Sequence, residues 1–349
     1  MRCPVYQKLR MNVLNQSKTS HAVGVVEAGG VTIATEDFFV SSDTAGVNLH
    51  LRRKRLTHVE KFPSERTLVL MHGATFCSGS LFDAPVGGAS FLDQLALNGF
   101  DVYAVDVRGY GASTKPPEVA GALDPSTLPV RIETAIRDLG KAIDHILEYR
   151  GLGQLSLVAM SWGGTVAGAY TAKNNDKIKG LALIAPLWLR ETPGRIDQGG
   201  DLPAYREVDL WKYKESWRAA APGDQRDALI PPGWFEAWAE TTLEIGPRGS
   251  APNTLLAPSG AVQDIREYWA AGSPFYDPGE IRVPVLLIHA EWDEDVTFDT
   301  TRDFFRRLTA APYRRWIEIG QGTHMVILEK NRWQAVNSII EFLREDLAI

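Results

Sequence analysis

The stretch "SLVAMSWGGTVAG", residues 156–168, decides how this chain is read. Leu157, Val158 and Ala159 belong to an apolar run that suits a buried strand, and "GTVAGAYTAK" after it suits a small-residue helix. Between them stands a lone serine, Ser161, followed by Trp162, Gly163 and Gly164. Glycines directly behind a serine indicate a backbone that turns sharply and lets another segment approach closely. A serine hydroxyl is a weak nucleophile until a base takes its proton, so a working Ser161 requires a histidine and a carboxylate to orient it. Both occur downstream. Asp293 follows the apolar run "VPVLLIHA" and His324 follows "RRWIEIG", so three strand ends can converge on one edge of a sheet.

Outward from Ser161 the same rhythm repeats. "EDFFVSS" and "VNLHLRRKR" read as an initial strand pair, "RTLVLMHG" and "FDVYAVDVRGYGAS" as buried strands ending in glycine turns, and "IKGLALIAPLW" as one more strand. Ile132, Ile136, Leu139, Ile143 and Ile146 recur at steps of four and three, with Gly151 beyond them, which predicts an amphipathic helix. Strands alternating with helices predict an α/β fold, a mainly parallel central sheet with helices on both faces. The rhythm lapses over residues 187–275, which hold six of the ten tryptophans among Pro, Gly and charged residues, without strand-like runs. We read this segment as a helical cap inserted over the carboxyl ends of the strands, where such sheets bind ligands. The expected organisation is an N-terminal extension (1–30), a core in two parts (31–186 and 276–349) and the cap (187–275).

Composition narrows the function. The 349 residues are 44% hydrophobic and 23% charged, with a formal charge of −6, which gives no electrostatic reason to expect a nucleic-acid partner. The basic run Arg52, Arg53, Lys54, Arg55 reads as a solvated strand end. Cys3 and Cys77 are too few for a disulfide framework and stand apart from any metal-binding cluster, so two free thiols are expected. No zinc-binding His pattern occurs, and "GLGQLS" at 151–156 precedes its strand, where it cannot present a phosphate to a helix start. The first thirty residues show no signal peptide and no stretch is long and apolar enough to span a bilayer, so a cytoplasmic location is expected.

Ser161 in a strand–turn–helix setting, followed in order by Asp293 and His324, resembles the α/β-hydrolase fold family, whose nucleophile elbow is G-x-S-x-G. "MHG" at 71–73 is similar to that family's oxyanion loop, "DVRGYGAS" at 106–113 to a further turn, "HAEWDEDV" to its acid loop and "GTHMVILEKNR" to its histidine loop. The resemblance covers roughly residues 40–349, and departs where Ala159 and Ala290 replace glycines. It implies a catalytic triad of Ser161, Asp293 and His324, with Asp293 preferred by register over Glu294 and Asp295. It also implies an oxyanion hole from the N–H groups of Trp162 and Ala74, with Thr75 as the fallback donor.

The expected reaction is hydrolysis of a small-molecule carboxylic ester through an acyl-enzyme, with no cofactor. Trp188, Arg190 and Trp234 are candidate substrate contacts, and Arg190 or Arg195 could recognise an ester that carries a carboxylate. Alternatives on the same triad are carbon–carbon bond hydrolysis, perhydrolysis, and a proline iminopeptidase-like amidase using Glu215, Glu236 or Glu240 to hold an amine. A non-catalytic binding protein on the same fold is the remote one.

Overall fold

The computed structural model describes residues 23–28, 31–116 and 127–345; Cys3 and most of the expected N-terminal extension lie outside them. The chain begins with three antiparallel strands, β1 (Val23–Ala28), β2 (Val31–Ser41) and β3 (Asn48–Leu56). Five parallel pairings follow, built from β4 (Thr67–Met71), β5 (Asp101–Asp106), β6 (Leu155–Met160), β7 (Ile178–Ile184), β10 (Val285–Ala290) and β11 (Arg314–Ile319). The sheet order is β1-β2-β3-β5-β4-β6-β7-β10-β11. From β4 the chain winds to β5 on one side and then crosses to β6 on the other. A sheet with this reversal opens a crevice at the carboxyl ends of the strands flanking it.

The strands read as unbroken apolar runs because both faces are covered. Val69 and Met71 of β4 join a core with α3 (Ile132–Arg150), α4 (Trp162–Lys173) and α9 (Phe298–Arg307). Leu68 and Leu70, one residue out of phase, join a second core with α1 (Ser78–Phe82), α2 (Phe91–Leu97) and α10 (Arg332–Arg344). Helix α3 buries Ile132, Leu139, Ile143 and Ile146 and ends where Gly151 takes φ +64°, a left-handed conformation that glycine adopts without steric cost.

Residues between β7 and β10 contain α5 (Leu210–Ala219), α6 (Arg226–Leu229), α7 (Trp234–Ile245) and α8 (Gly260–Asp264), which runs on into a wider π-turn at Ile265–Trp269. They also contain two strands that the sequence pattern does not announce, β8 (Tyr205–Asp209) and β9 (Thr254–Pro258), paired antiparallel with Arg206 opposite Ala257. Each is five residues long and its partner lies more than forty positions away, so neither periodicity nor a tight turn marks them.

The basic run on β3 is not a solvated strand end. Arg53 and Lys54 are 3% and 6% exposed, because Arg53 reaches Asp101 and Glu36 while Lys54 reaches Asp83 and Asp93. Arg52 pairs with Asp37 and Asp83, and Arg55 with Glu36. Burial of these cations is tolerated because each is paired and hydrogen-bonded. None presents a free charge to a polyanion.

Candidate active site

Ser161 sits between β6 and α4 with φ +58° and ψ −128°, a conformation that L-residues rarely adopt. The surroundings impose it. A Cβ on Gly163 would overlap the His72 carbonyl oxygen, and one on Gly164 would stand 2.8 Å from the Pro186 Cβ. The two glycines therefore allow the loop after β4 and the loop after β7 to close on the turn, which accounts for the sequence that surrounds the serine. Ala159, where the resembled motif has glycine, is fully buried within β6.

The structure brings together the three residues singled out from sequence. Ser161 Oγ lies 2.9 Å from His324 Nε2, and His324 Nδ1 lies 2.8 Å from Asp293 Oδ2. In the neutral imidazole, Nδ1–H donates to the carboxylate and Nε2 accepts from the serine hydroxyl. The other oxygen, Asp293 Oδ1, accepts the Asp295 and Val296 backbone N–H groups, both at 2.8 Å. Those bonds hold the carboxylate in the plane that the imidazole needs, and they distinguish Asp293 from its acidic neighbours. Burial draws the His324 pKa down, but Asp293 and then Asp295 more than offset it, so the value is pushed up to about 9. Asp295 faces the same space: one oxygen from each aspartate and a His324 ring nitrogen lie within 4.8 Å of one another. Sequence reasoning gave it no role, since it differs from Asp293 only in which carboxylate accepts the loop amides.

The loop after β4 is fixed from below by His72. Its Nδ1–H donates to the Gly73 carbonyl at 2.8 Å and its Nε2 accepts the Val107 N–H at 3.3 Å, which makes it a neutral, structural imidazole; burial lowers its pKa accordingly. A Cβ on Gly73 would stand 3.3 Å from the Ser161 Cβ, so this loop lies directly against the serine. The Ala74 carbonyl accepts from Tyr110 Oη at 2.8 Å and from Arg206 Nη2 at 3.2 Å. The backbone N–H groups of Ala74 and Trp162 donate to no protein acceptor among the described residues. Trp162 also begins α4, where the helix dipole favours negative charge.

Residues between β7 and β10 reach the same loops. Trp162 Nε1 donates to Asp264 Oδ2 at 3.1 Å, and Arg131 Nε donates to the other oxygen at 2.5 Å. Burial pushes the Asp264 pKa up to about 7 against the pull of Arg131. Trp217 Nε1 donates to Glu329 Oε1 at 2.6 Å, and Glu329 accepts both the hydroxyl and the backbone N–H of Thr323, the residue before His324. Thr75, Cys77, Tyr110, Pro247, Leu255 and Leu256 line a narrow cavity beside the loop. Cys77 is buried there, and burial pushes its thiol pKa up to about 12, so it is not an activated nucleophile.

Other sequence candidates lie elsewhere. Trp188 is 2% exposed; its Nε1 donates to Asp303 and Tyr276 and Phe304 pack against its rings, so it belongs to the core behind α4. Trp234 packs on Gly87 and under the Arg332 guanidinium. Arg190 donates to the carbonyls of Thr192 and Asp295, beside the acid loop, and Arg195 pairs with Glu294. Glu236 and Glu215 are exposed and paired with Lys214 and Arg218, and Glu240 is exposed.

Comparison with known proteins agrees with this architecture. The family profile described as alpha/beta hydrolase fold matches residues 66–331. The chain is 24% identical over 292 residues to the AB hydrolase superfamily protein YisY of Bacillus subtilis strain 168, an overlap that covers 81% of this chain and 92% of that protein. It is 24% identical over 279 residues to epoxide hydrolase 3 of Xenopus tropicalis, covering 74% and 68%. Among solved structures it resembles in fold the serine hydrolase CCSP0084 of Cycloclasticus zankles, with TM-score 0.60 at 16% identity over 90% of this chain and 100% of that one. With its doubly wound sheet and the profile match across most of its length, the chain belongs to the alpha/beta hydrolase fold family.

Proposed function

We propose that this protein is a serine hydrolase that cleaves a carboxylic ester of a small or medium-sized molecule through an acyl-enzyme. The observation that carries this reading is the unbroken hydrogen-bonded series from Ser161 Oγ through His324 to Asp293. In the first step His324 Nε2 takes the hydroxyl proton as Oγ attacks the ester carbonyl, and Asp293 stabilises the imidazolium that forms. The uncommitted N–H groups of Ala74 and Trp162 receive the negative charge that develops on the carbonyl oxygen. His324 then gives its proton to the departing alcohol, and water repeats the sequence on the acyl-enzyme. Each step uses groups of this chain, so the cycle requires no cofactor.

In this reading residues 187–275 act as a cap, supported by the bonds that Arg206, Trp217 and Asp264 make to the oxyanion loop, the histidine loop and the elbow. Serine in place of aspartate at the nucleophile position weighs against epoxide opening. The exposure of Glu215, Glu236 and Glu240, and the pairing of the first two with Arg218 and Lys214, weigh against their holding a substrate amine. An active-serine phosphonate probe should label Ser161 and no other residue, read by peptide mass mapping. Hydrolysis of p-nitrophenyl esters should fall on the order of 10⁶-fold in Ser161→Ala. Retention of esterase activity by that variant would overturn the assignment.

A further inference from the structure

Arg206 is distinguished from the other arginines near the triad. Arg131 pairs with Asp264, Arg195 pairs with Glu294, and Arg190 feels Asp295 and Asp293. Arg206 has no carboxylate within ion-pair distance among the described residues, and the groups that act on its charge are the Tyr110 and Tyr213 phenols. Burial lowers its pKa as a result. Its Nε is buried without an acceptor, its Nη2 donates to the Ala74 carbonyl and to Thr75 Oγ1 at 2.6 Å, and Nη1 donates to no protein atom among the described residues. Arg206 is half-buried, with Nε enclosed and no counter-ion beside it, and a guanidinium so placed is costly unless something else supplies the charge.

Its position suggests what that is. Nη2 lies 3.2 Å from the carbonyl oxygen of Ala74, whose own N–H is the proposed oxyanion donor. Backbone dimensions and hydrogen-bond lengths place the guanidinium within about 9 Å of the reacting carbonyl. From the ester reading above, and resting on it, we propose that Arg206 is a specificity-determining residue that binds a carboxylate carried by the substrate. The ester is then of short dicarboxylic-acid type, with its free carboxylate taken by the uncommitted N–H groups of Nη1. Sequence reasoning anticipated an anionic ester but assigned it to Arg190 or Arg195, which are engaged by the acid loop, whereas Arg206 stands at the oxyanion loop with no carboxylate acting on it among the described residues.

The test compares p-nitrophenyl hemiglutarate with p-nitrophenyl pentanoate, esters of similar length with and without the carboxylate. The native protein should favour the acidic ester in kcat/KM by about 10-fold or more. In Arg206→Met the acidic-to-neutral ratio should fall by at least about 10-fold, mainly through KM, and Arg206→Lys should restore part of it. Loss of activity on both esters with the ratio unchanged would show that Arg206 only pins the Ala74 carbonyl, and would overturn the proposal. Titration calorimetry with glutarate, on the native protein and on Arg206→Met, gives a readout without turnover. Binding weakened by about 10-fold or more in the variant supports the proposal, and equal or absent binding overturns it. If no ester is hydrolysed and Ser161 stays unlabelled, the ester reading fails while the calorimetry still decides the role of Arg206.

Discussion

Replacing Asp295 by asparagine should shift the acid limb of the kcat/KM profile to lower pH. In the proposed cycle His324 is the general base and must be unprotonated, so the rate is expected above its pKa, raised here to about 9, and lost as pH falls through it. Asp293 holds the imidazole by a hydrogen bond, whereas Asp295 acts on it through space, with a carboxylate oxygen no more than 4.8 Å from a ring nitrogen. At that separation a unit charge is worth about 3.5 kcal/mol at an effective dielectric constant of about 20, and about 0.9 kcal/mol at the value for water. Burial raises the Asp295 pKa, so its charge is partly neutralised toward acid pH, which draws the expected value below the larger figure. At 1.36 kcal/mol per tenfold, the limb should move down by between about 0.6 and 2.5 pH units. Asparagine preserves the volume and the backbone N–H that Asp295 donates to Asp293 Oδ1. The assay is ester hydrolysis at constant ionic strength across both limbs, with Asp293→Asn as a contrast that should lose rate by about 10⁴-fold. A midpoint that stays in place or moves upward in Asp295→Asn would refute the reasoning.

Three further outcomes are expected. Gly163→Ala should cost about 1–3 kcal/mol and lower Tm by several degrees, read by calorimetry, because the added methyl meets the His72 carbonyl oxygen. His50 bridges Asp37 and Asp106 through both ring nitrogens; burial opposes its charge, but the two carboxylates prevail and push its pKa up to about 9. Because the folded value exceeds the unfolded one, its stabilisation is complete below about pH 6.5 and is lost as pH rises through about 9. Denaturant titrations of His50→Asn should therefore show a pH-dependent loss shallower by about 3 kcal/mol over that window. Trp217→Phe should cost about 1.5–3 kcal/mol in urea unfolding, since Glu329 loses an indole donor and no other side chain replaces it.

The parallel strands and the loops at their ends were legible because each strand is covered on both faces and must be apolar throughout, while its end turns on glycine. Ser161, Asp293 and His324 could be placed for that reason, each at the end of such a run. What escaped depends on pairing over distance. Nothing local to His50 reveals that Asp106, 56 positions on, will accept a hydrogen bond from its ring. The cations of "RRKR" read as a wet edge because the carboxylates that bury them lie on β2, β5 and α2 or on the loop before α2. Between β7 and β10 the apolar signal was strong but aperiodic, so the tryptophans that pack were not separable from any that line a pocket. Arg206 stood out only once β8 had been paired with β9 and laid over Ala74.

The backbone at Ser161 carries a cost of about 1–3 kcal/mol that every folded molecule bears, with or without a ligand. A glycine there would adopt the same dihedrals freely and forfeit only part of the gain through its looser unfolded chain. Ser161→Gly should therefore be inert yet more heat-resistant than the native protein. Durability alone would favour glycine at this position, so a hydroxyl held there at such a cost is what a working nucleophile would require.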